Sequence, residues 1–308
     1  MTVLAAVLLA AAACLVGAGI GLYTPDKSRT GLEAKYGVSP ADYVTAAGLR
    51  LHVRDTGPKD APAVIMLHGL GSSLLTWEPW AQALSATHRV IRFDLPGFGL
   101  TGADPTGDYT DSRSVQVVIA LMDAMAVPRA SLIGNSLGGK IAWMLAAAHP
   151  ERVARLVLIS PDGFASPGFD YDKTPDLPAI AKLLPYILPT WMLRMNVAAA
   201  YGDRSLLTAD VVARYRDMML APGVRRAMLA RVAQVRLEPP EQLLARVEAP
   251  TLLLWGEKDG LIAYSNAQDY LRAMRDCRLV SFPDLGHVPQ EEAPARSLVP
   301  VTTFLGRH

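Results

Sequence analysis

A pentapeptide in mid-chain, Gly134-Asn135-Ser136-Leu137-Gly138, constrains the fold more than any other stretch of this sequence. Immediately before it runs the apolar, strand-like Ser131-Leu132-Ile133. After it, Gly139-Lys140-Ile141-Ala142-Trp143-Met144-Leu145-Ala146-Ala147-Ala148 reads as helix, with no breaker beyond the glycine pair. A G-x-S-x-G between strand and helix describes a tight turn that projects a serine hydroxyl from the top of a parallel sheet. The turn is strained, and side chains at its glycines would collide with neighbouring backbone. Alone the pentapeptide is weak, since roughly one chain in ten of this length would contain it at average composition. Its setting gives it weight.

The rest of the chain repeats the rhythm of strand and helix, the pattern of a mostly parallel sheet covered by helices on both faces. Leu51 to Arg54 reads as an early strand, Ala63 to Leu67 as a buried one ending at His68, and Arg89 to Phe93 as another ending at Asp94. Ser112 to Met125 is a helix, Val153 to Ile159 a further strand, and Thr251 to Trp255 and Arg278 to Phe282 are the last two strands. Ala293 to Leu305 closes the chain as a helix despite Pro294 and Pro300. Between Gly163 and Ala249 the rhythm breaks. Pro167, Pro175, Pro178, Pro185 and Pro189 punctuate short apolar helices, and a charged helical stretch follows through Val211 to Val235. An insertion after a sheet strand is expected to lie over the strand ends, where open α/β sheets bind ligands. Most of its Met and aromatic residues are expected to form its own core.

These boundaries divide the chain into a segment over residues 1–23, a polar connector over 24–42, a first core part over 43–162, a helical cap over 163–249 and a second core part over 250–308. The 308 residues suffice for one large α/β domain with an insertion. Lys plus Arg total 30 against 29 Asp plus Glu, a net charge of +1, so there is no electrostatic reason to expect nucleic acid as a partner. The two cysteines, Cys14 and Cys277, suggest neither a disulfide framework nor a metal site. Oligomeric state is not legible.

The N-terminus differs in kind. Val3 to Leu22 holds no charged residue, and 20 residues at helical rise just span a bilayer core. The expectation is a single membrane-anchoring helix, with a cleaved signal peptide and secreted or periplasmic protein as the alternative. No Lys or Arg precedes the apolar run, which counts against the signal peptide. Lys27, Arg29 and Lys35 beyond it favour a cytoplasmic catalytic domain only modestly, because Asp26 and Glu33 offset them. The side of the membrane stays open.

A serine hydroxyl is a poor nucleophile at neutral pH and needs an adjacent base, itself oriented by a third group. Of the six histidines, His308 is terminal, His52 lies in an early strand, His88 opens a strand and His149 ends a helix. His68 is near the strand tops, but its Gly69-Leu70-Gly71 sequel suits a loop offering backbone N–H groups. His287 follows the last strand in Pro283-Asp284-Leu285-Gly286-His287, where a loop can reach back over the sheet. Its carboxylate partner should end another strand, and Asp259 in Trp255-Gly256-Glu257-Lys258-Asp259-Gly260 does so. Ser136, Asp259 and His287 then follow the Ser…Asp/Glu…His order, and the long first gap accommodates the insertion.

With these residues in place the chain resembles the α/β-hydrolase superfamily. The matching landmarks are His68-Gly69-Leu70-Gly71, Asp94-Leu95-Pro96-Gly97-Phe98-Gly99, the serine turn, Asp259 and Gly286-His287. The resemblance implies an α/β-hydrolase fold, a serine–histidine–aspartate triad, and an oxyanion hole from the backbone amides of Leu70 and Leu137. Leu137 also opens a helix, where unpaired N–H groups favour anions. Asp94-Leu95-Pro96-Gly97-Phe98-Gly99 resembles a mainly structural turn of the family. Some members place the acid after the preceding strand, which makes Asp162 the fallback. Haloalkane dehalogenases and epoxide hydrolases resemble this chain but need a carboxylate nucleophile, and serine at 136 argues against both.

The implied reaction is acyl transfer to water with no cofactor and no metal. The leading expectation is a hydrolase of carboxylic esters, apolar or of medium chain length. Leu183, Leu184, Tyr186, Ile187, Leu188, Trp191, Met192 and Met195 form an apolar cluster that suits an acyl pocket or contact with lipid. The alternative is hydrolysis of a carbon–carbon bond in a vinylogous diketone, because Gly134-Asn135-Ser136-Leu137-Gly138-Gly139 resembles the elbow of meta-cleavage product hydrolases. Against it, Leu70-Gly71-Ser72-Ser73 replaces their Gly/Pro-rich oxyanion loop. Cofactor-free haloperoxidase or perhydrolase activity is a third enzymatic option, and a ligand-binding protein with a vestigial triad is the non-enzymatic one.

Overall fold

Eight strands form one sheet, and the chain visits them in an order that leaves the serine turn near its middle. A computed structural model describes residues 22–166, 170–174 and 179–306. The strands are β1 (Tyr43–Ala46), β2 (Leu49–Thr56), β3 (Ala63–Leu67), β4 (Arg89–Phe93), β5 (Ala130–Asn135), β6 (Val153–Ile159), β7 (Thr251–Gly256) and β8 (Cys277–Phe282). Their spatial order is β1-β2-β4-β3-β5-β6-β7-β8, with β2 antiparallel to both neighbours and every later pairing parallel. The strand order reverses after β4 and β3, and β3 and β5 pair with Leu67 opposite Gly134. The tops of these two strands therefore carry the loop after His68 and the serine turn side by side.

Alternation along the central strands feeds two cores, because successive side chains point to opposite faces. Ile65 and Leu67 join Leu132, Leu253 and the helices Asp111–Ala124, Leu137–Ala148 and Asn266–Ala273 on one face. Val64 and Met66 join Ile133, Leu252, Trp77, Trp80 and the helices Glu78–Leu84 and Pro294–Leu305 on the other. Continuous apolar runs such as Thr251–Gly256, buried at every position, are what a doubly covered parallel strand requires.

Between β6 and β7 the described residues hold helices and no strand, including Thr190–Ala198, Ala209–Met219 and Val224–Gln234. The charged stretch through 211–235 is two helices, because Pro222 and Gly223, the latter at φ 80°, break it. This helical insertion has its own core around Leu193, Leu207, Val212, Met218 and Leu220. It shares that core with Leu74, Leu75, Leu100 and Val288 of the sheet domain.

The N-terminal region departs from expectation. Nearly all of the apolar segment over 1–23 lies outside the described residues, and Cys14 with it. Where the description starts, Tyr23 bridges Ile187 and the Thr24 N–H donates to Tyr186 O at 2.7 Å, so the chain passes directly onto the helical insertion. Among the described residues no helix is long and apolar enough to cross a membrane, and the expected membrane-anchored localisation is corrected accordingly. The stretch expected as a polar connector also holds more structure than its composition suggests. The helix Arg29–Lys35 is capped by Ser28, whose Oγ accepts from Gly31 N–H at 3.2 Å, and it buries Leu32. Lys27, Lys35 and Tyr36 converge on the buried Asp217 of the insertion, at 2.5, 2.6 and 2.9 Å.

Candidate active site

The serine turn forms where β5 runs out of sheet partners and the helix Leu137–Ala148 must start at once. Ser136 sits at φ 53° and ψ −119°, a conformation an L-residue adopts only under constraint. Its N–H donates to Ile159 O at 2.9 Å, and its carbonyl accepts from Lys140 N–H at 3.0 Å and Asp162 N–H at 3.1 Å. Gly138 is required by contact: a Cβ there would lie 2.1 Å from Leu67 O. The helix thus presses against the end of β3, and the Ser136 side chain is left partly exposed above the sheet.

Asp259 and His287 approach from later strand ends. His287 Nδ1 and Asp259 Oδ2 are 2.7 Å apart, with 5% and 0% of the two side chains exposed. The other carboxylate oxygen accepts from Leu261 N–H at 2.8 Å and Ile262 N–H at 2.9 Å. Burial pushes the Asp259 pKa up, but the His287 ring and these two amides outweigh it and hold the carboxyl below its ordinary value. A carboxylate on Nδ1 makes that nitrogen the donor and leaves Nε2 free to accept a proton. Asn135, next to the serine, donates from Nδ2 to His287 O at 3.0 Å, which ties the histidine loop to the turn.

Among the described residues the structure hydrogen-bonds His287 to Asp259 and leaves Ser136 Oγ without a direct bond to the ring. Such bonds are often long in an unliganded site and tighten with substrate. Asp162, the fallback acid, does not bond His287. Its carbonyl accepts from Trp143 Nε1 at 3.1 Å and Tyr270 OH at 3.0 Å, and burial raises its carboxyl pKa. Nearby, Lys140 pairs with Asp111 at 3.0 Å and Arg231 with the same carboxylate, which locks the helical insertion to the helix Asp111–Ala124.

Leu70 belongs to the loop after β3, and Leu137 directly follows Ser136 at the start of its helix. A Cβ on Gly69 would stand 3.2 Å from Ser136 Cβ, so the loop after β3 passes directly beside the serine. Leu137 N–H is the first of its helix and has no intrahelical acceptor. Two buried groups hold the loop. His68 Nε2 accepts from Leu95 N–H at 3.0 Å, so Nδ1 carries the proton and donates to Gly69 O at 2.8 Å. Burial lowers the pKa of His68, in keeping with a neutral ring. Asp94 accepts from Leu74 N–H and Leu100 N–H, each at 2.8 Å, and from the His52 ring at 2.7 Å. This second buried His–Asp pair was invisible in the spacing, since His52 reads as an ordinary strand residue. It supports the loop, away from the serine.

The apolar cluster expected over Leu183–Met195 divides. Leu188 is buried in the helical core, whereas Trp191 and Met195 are 63% and 66% exposed. Met219 and Met228 reach the loop beside Ser136, with sulfurs 4.0 and 3.9 Å from where a Gly71 Cβ would be. Their contact depends on how the two insertion helices cross, which no local signal encodes.

With this geometry in view, similarity to known proteins is informative. A family model described as alpha/beta hydrolase fold matches residues 62–294. The 2-hydroxy-6-oxo-6-phenylhexa-2,4-dienoate hydrolase of Burkholderia cepacia is 28% identical over 254 residues, covering 80% of this chain and 87% of that protein. Among solved structures, a meta-cleavage product hydrolase from Pseudomonas fluorescens IP01 is 27% identical with a TM-score of 0.74, covering 85% of this chain and 96% of its own. A bacterial membrane phospholipase A is 26% identical with a TM-score of 0.75, covering 98% and 96%.

Proposed function

This chain belongs to the α/β-hydrolase fold family, and on that premise we propose that it hydrolyses a carbon–carbon bond beside the ketone of a vinylogous diketone, as a meta-cleavage product hydrolase does. Ser136 and His287 activate the attack on the carbonyl, and Asp259 keeps the imidazole in the tautomer with Nε2 free and stabilises the imidazolium. The carbonyl oxygen gains negative charge between the amides of Leu70 and Leu137. With Ser136 Oγ bonded to the carbonyl carbon and its proton on His287, the carbon–carbon bond breaks. Its electron pair departs as a delocalised dienolate that takes the proton from His287. Water activated by His287 then cleaves the acyl–Ser136 ester, releasing the carboxylic acid and restoring the serine hydroxyl. The observation that carries this reading is similarity over 80% of the chain to a hydrolase named for such a substrate, joined to the His287–Asp259 pair at 2.7 Å.

A second reading, hydrolysis of apolar carboxylic esters, is favoured by one specific observation. Likeness to the phospholipase A extends over 98% of the chain. The same residues serve either reaction, because only the leaving group differs. A side-by-side assay separates them: a 2-hydroxy-6-oxo-dienoate against p-nitrophenyl esters of graded chain length, with Ser136→Ala as control. Faster turnover of the dienoate supports the first reading, and turnover of medium-chain esters alone overturns it. Full activity of Ser136→Ala removes both.

A further inference from the structure

Glu292 lies five residues beyond His287, at the end of the short helix Pro289–Glu292, and is buried at 7% exposure. A buried carboxylate must find hydrogen-bond donors, because burying an unpaired one forfeits its solvation without replacement. Glu292 finds three, all of them backbone. Oε1 accepts from Gly286 N–H at 2.7 Å, the peptide next to His287. Oε2 accepts from Gly202 N–H at 2.8 Å and Asp203 N–H at 3.3 Å, in the helical insertion.

The insertion segment 199–203 is also pressed against both catalytic loops. His287 N–H donates to Ala200 O at 2.7 Å. A Cβ on Gly286 would meet Ala200 O and Gly202 N, both at 2.5 Å, and one on Gly260 would lie 2.6 Å from Ala199 O. The backbone of His287 is thus held on one side by Asn135 and on the other by a segment whose position Glu292 sets.

We propose that Glu292 is a positioning residue for His287, clamping the histidine loop and segment 199–203 together so that the imidazole stays aligned between Asp259 and Ser136. The proposal rests on the reading of His287 as the general base. Removing one of the two acceptor oxygens frees one side of the clamp, and the ring drifts while the surfaces that meet substrate stay where they are. The step lost is proton transfer. Binding survives.

The test is the rate of fluorophosphonate labelling of the full chain, resolved into a maximal rate and a half-saturating concentration, for wild type, Glu292→Gln, Glu292→Asp, His287→Ala and Ser136→Ala. Glu292→Gln keeps the shape but turns one acceptor into a donor facing an N–H. We expect its maximal rate to fall about 10- to 100-fold, the cost of displacement on the order of 1 Å, with the half-saturating concentration within about twofold. Glu292→Asp keeps the charge and should recover part of the loss. A downfield proton signal from His287 Nδ1–H, bonded to Asp259, should broaden or shift in Glu292→Gln. A folded Glu292→Gln with wild-type maximal rate overturns the proposal, as does a loss confined to half-saturation. If Glu292→Gln does not fold, Glu292→Asp decides by the same criteria. Wild-type labelling of His287→Ala would instead refute the base assignment. Loss in His287→Ala with none in the Glu292 variants refutes only the clamp.

Discussion

Ser136 pays for its exposure with a φ of 53°, and the residues around it make that geometry unavoidable. On the proposed mechanism Ser136→Ala should lower turnover by at least about 10³-fold, and Asp259→Asn by about 10³- to 10⁴-fold, because an amide facing Nδ1 favours the wrong tautomer. Turnover of a p-nitrophenyl ester or a dienoate measures both, and an Asp259→Asn variant within tenfold of wild type would contradict the assignment of the acid. The turn itself has a separate test. Gly138→Ala would drive a methyl group to 2.1 Å from the Leu67 carbonyl, where only backbone can give way. The expected destabilisation is on the order of 3 kcal/mol in a denaturant titration, and an unchanged midpoint would remove the close-contact argument. These residues were legible in advance because strained turns admit few residue types. The supporting pair His52–Asp94 was not, because two residues 42 positions apart reveal no contact until the strands pair.

At the scale of elements, strands were easier to read than the segments that hold them. β3, β4 and β6 occupy the predicted bounds, since apolar runs between turn residues have few alternatives. β1 was missed. Tyr43–Ala46 is short and half-exposed, and it exists because β2 offers it an edge. The helix Arg29–Lys35 was missed for a related reason, since its charged residues look like a connector until Asp217 supplies their partner. A similar long-range tie fastens the helix Val224–Gln234 to the sheet domain through Arg231 and Asp111. Arg231 is 3% exposed, and Arg231→Met would leave the Asp111 carboxylate with Lys140 alone. Removing one partner of a buried pair should cost about 3 kcal/mol, read as a drop in Tm and in the urea midpoint. A loss under about 0.5 kcal/mol would place this contact with exposed ion pairs instead.

For the molecule as a whole, buried carboxylates set the response to pH. Asp259, Asp94, Asp111 and Asp217 are all held below the ordinary carboxylate value, because cationic or hydrogen-bonding partners outweigh burial. Such groups contribute stability that is complete above the unfolded value of about 3.9 and is lost as pH falls through the lower folded values. Stability should therefore be flat near neutrality and fall steeply below about pH 4, as urea midpoints against pH would record. Asp162 runs the other way. Its raised pKa favours the protonated acid in the folded state, so its contribution is lost as pH rises through the folded value. Asp162→Asn should raise the urea midpoint at pH 7 and leave it nearly unchanged below about pH 4. A lower midpoint at pH 7 would mean that the charged form is stabilised by Lys140 and Arg231.

By itself the sequence determined the class of fold, the strand that leads into Ser136, and the order in which an acid and a histidine follow. Each of these is written in local pattern: an apolar period, a glycine that nothing larger can replace, a polar residue just past a strand end. Tertiary structure separated Asp259, the acid preferred from its sequence context, from the fallback Asp162, since both follow strands and only Asp259 comes within 2.7 Å of the His287 ring. It decided that Met219 and Met228 stand beside the loop next to Ser136, while Trp191 and Met195 are left exposed. It also brought Glu292 between Gly286 and Gly202. The physical reason is common to all three. A contact between segments far apart in sequence depends on how the sheet twists and the insertion docks, and those are properties of the whole packed core, not of any window of residues.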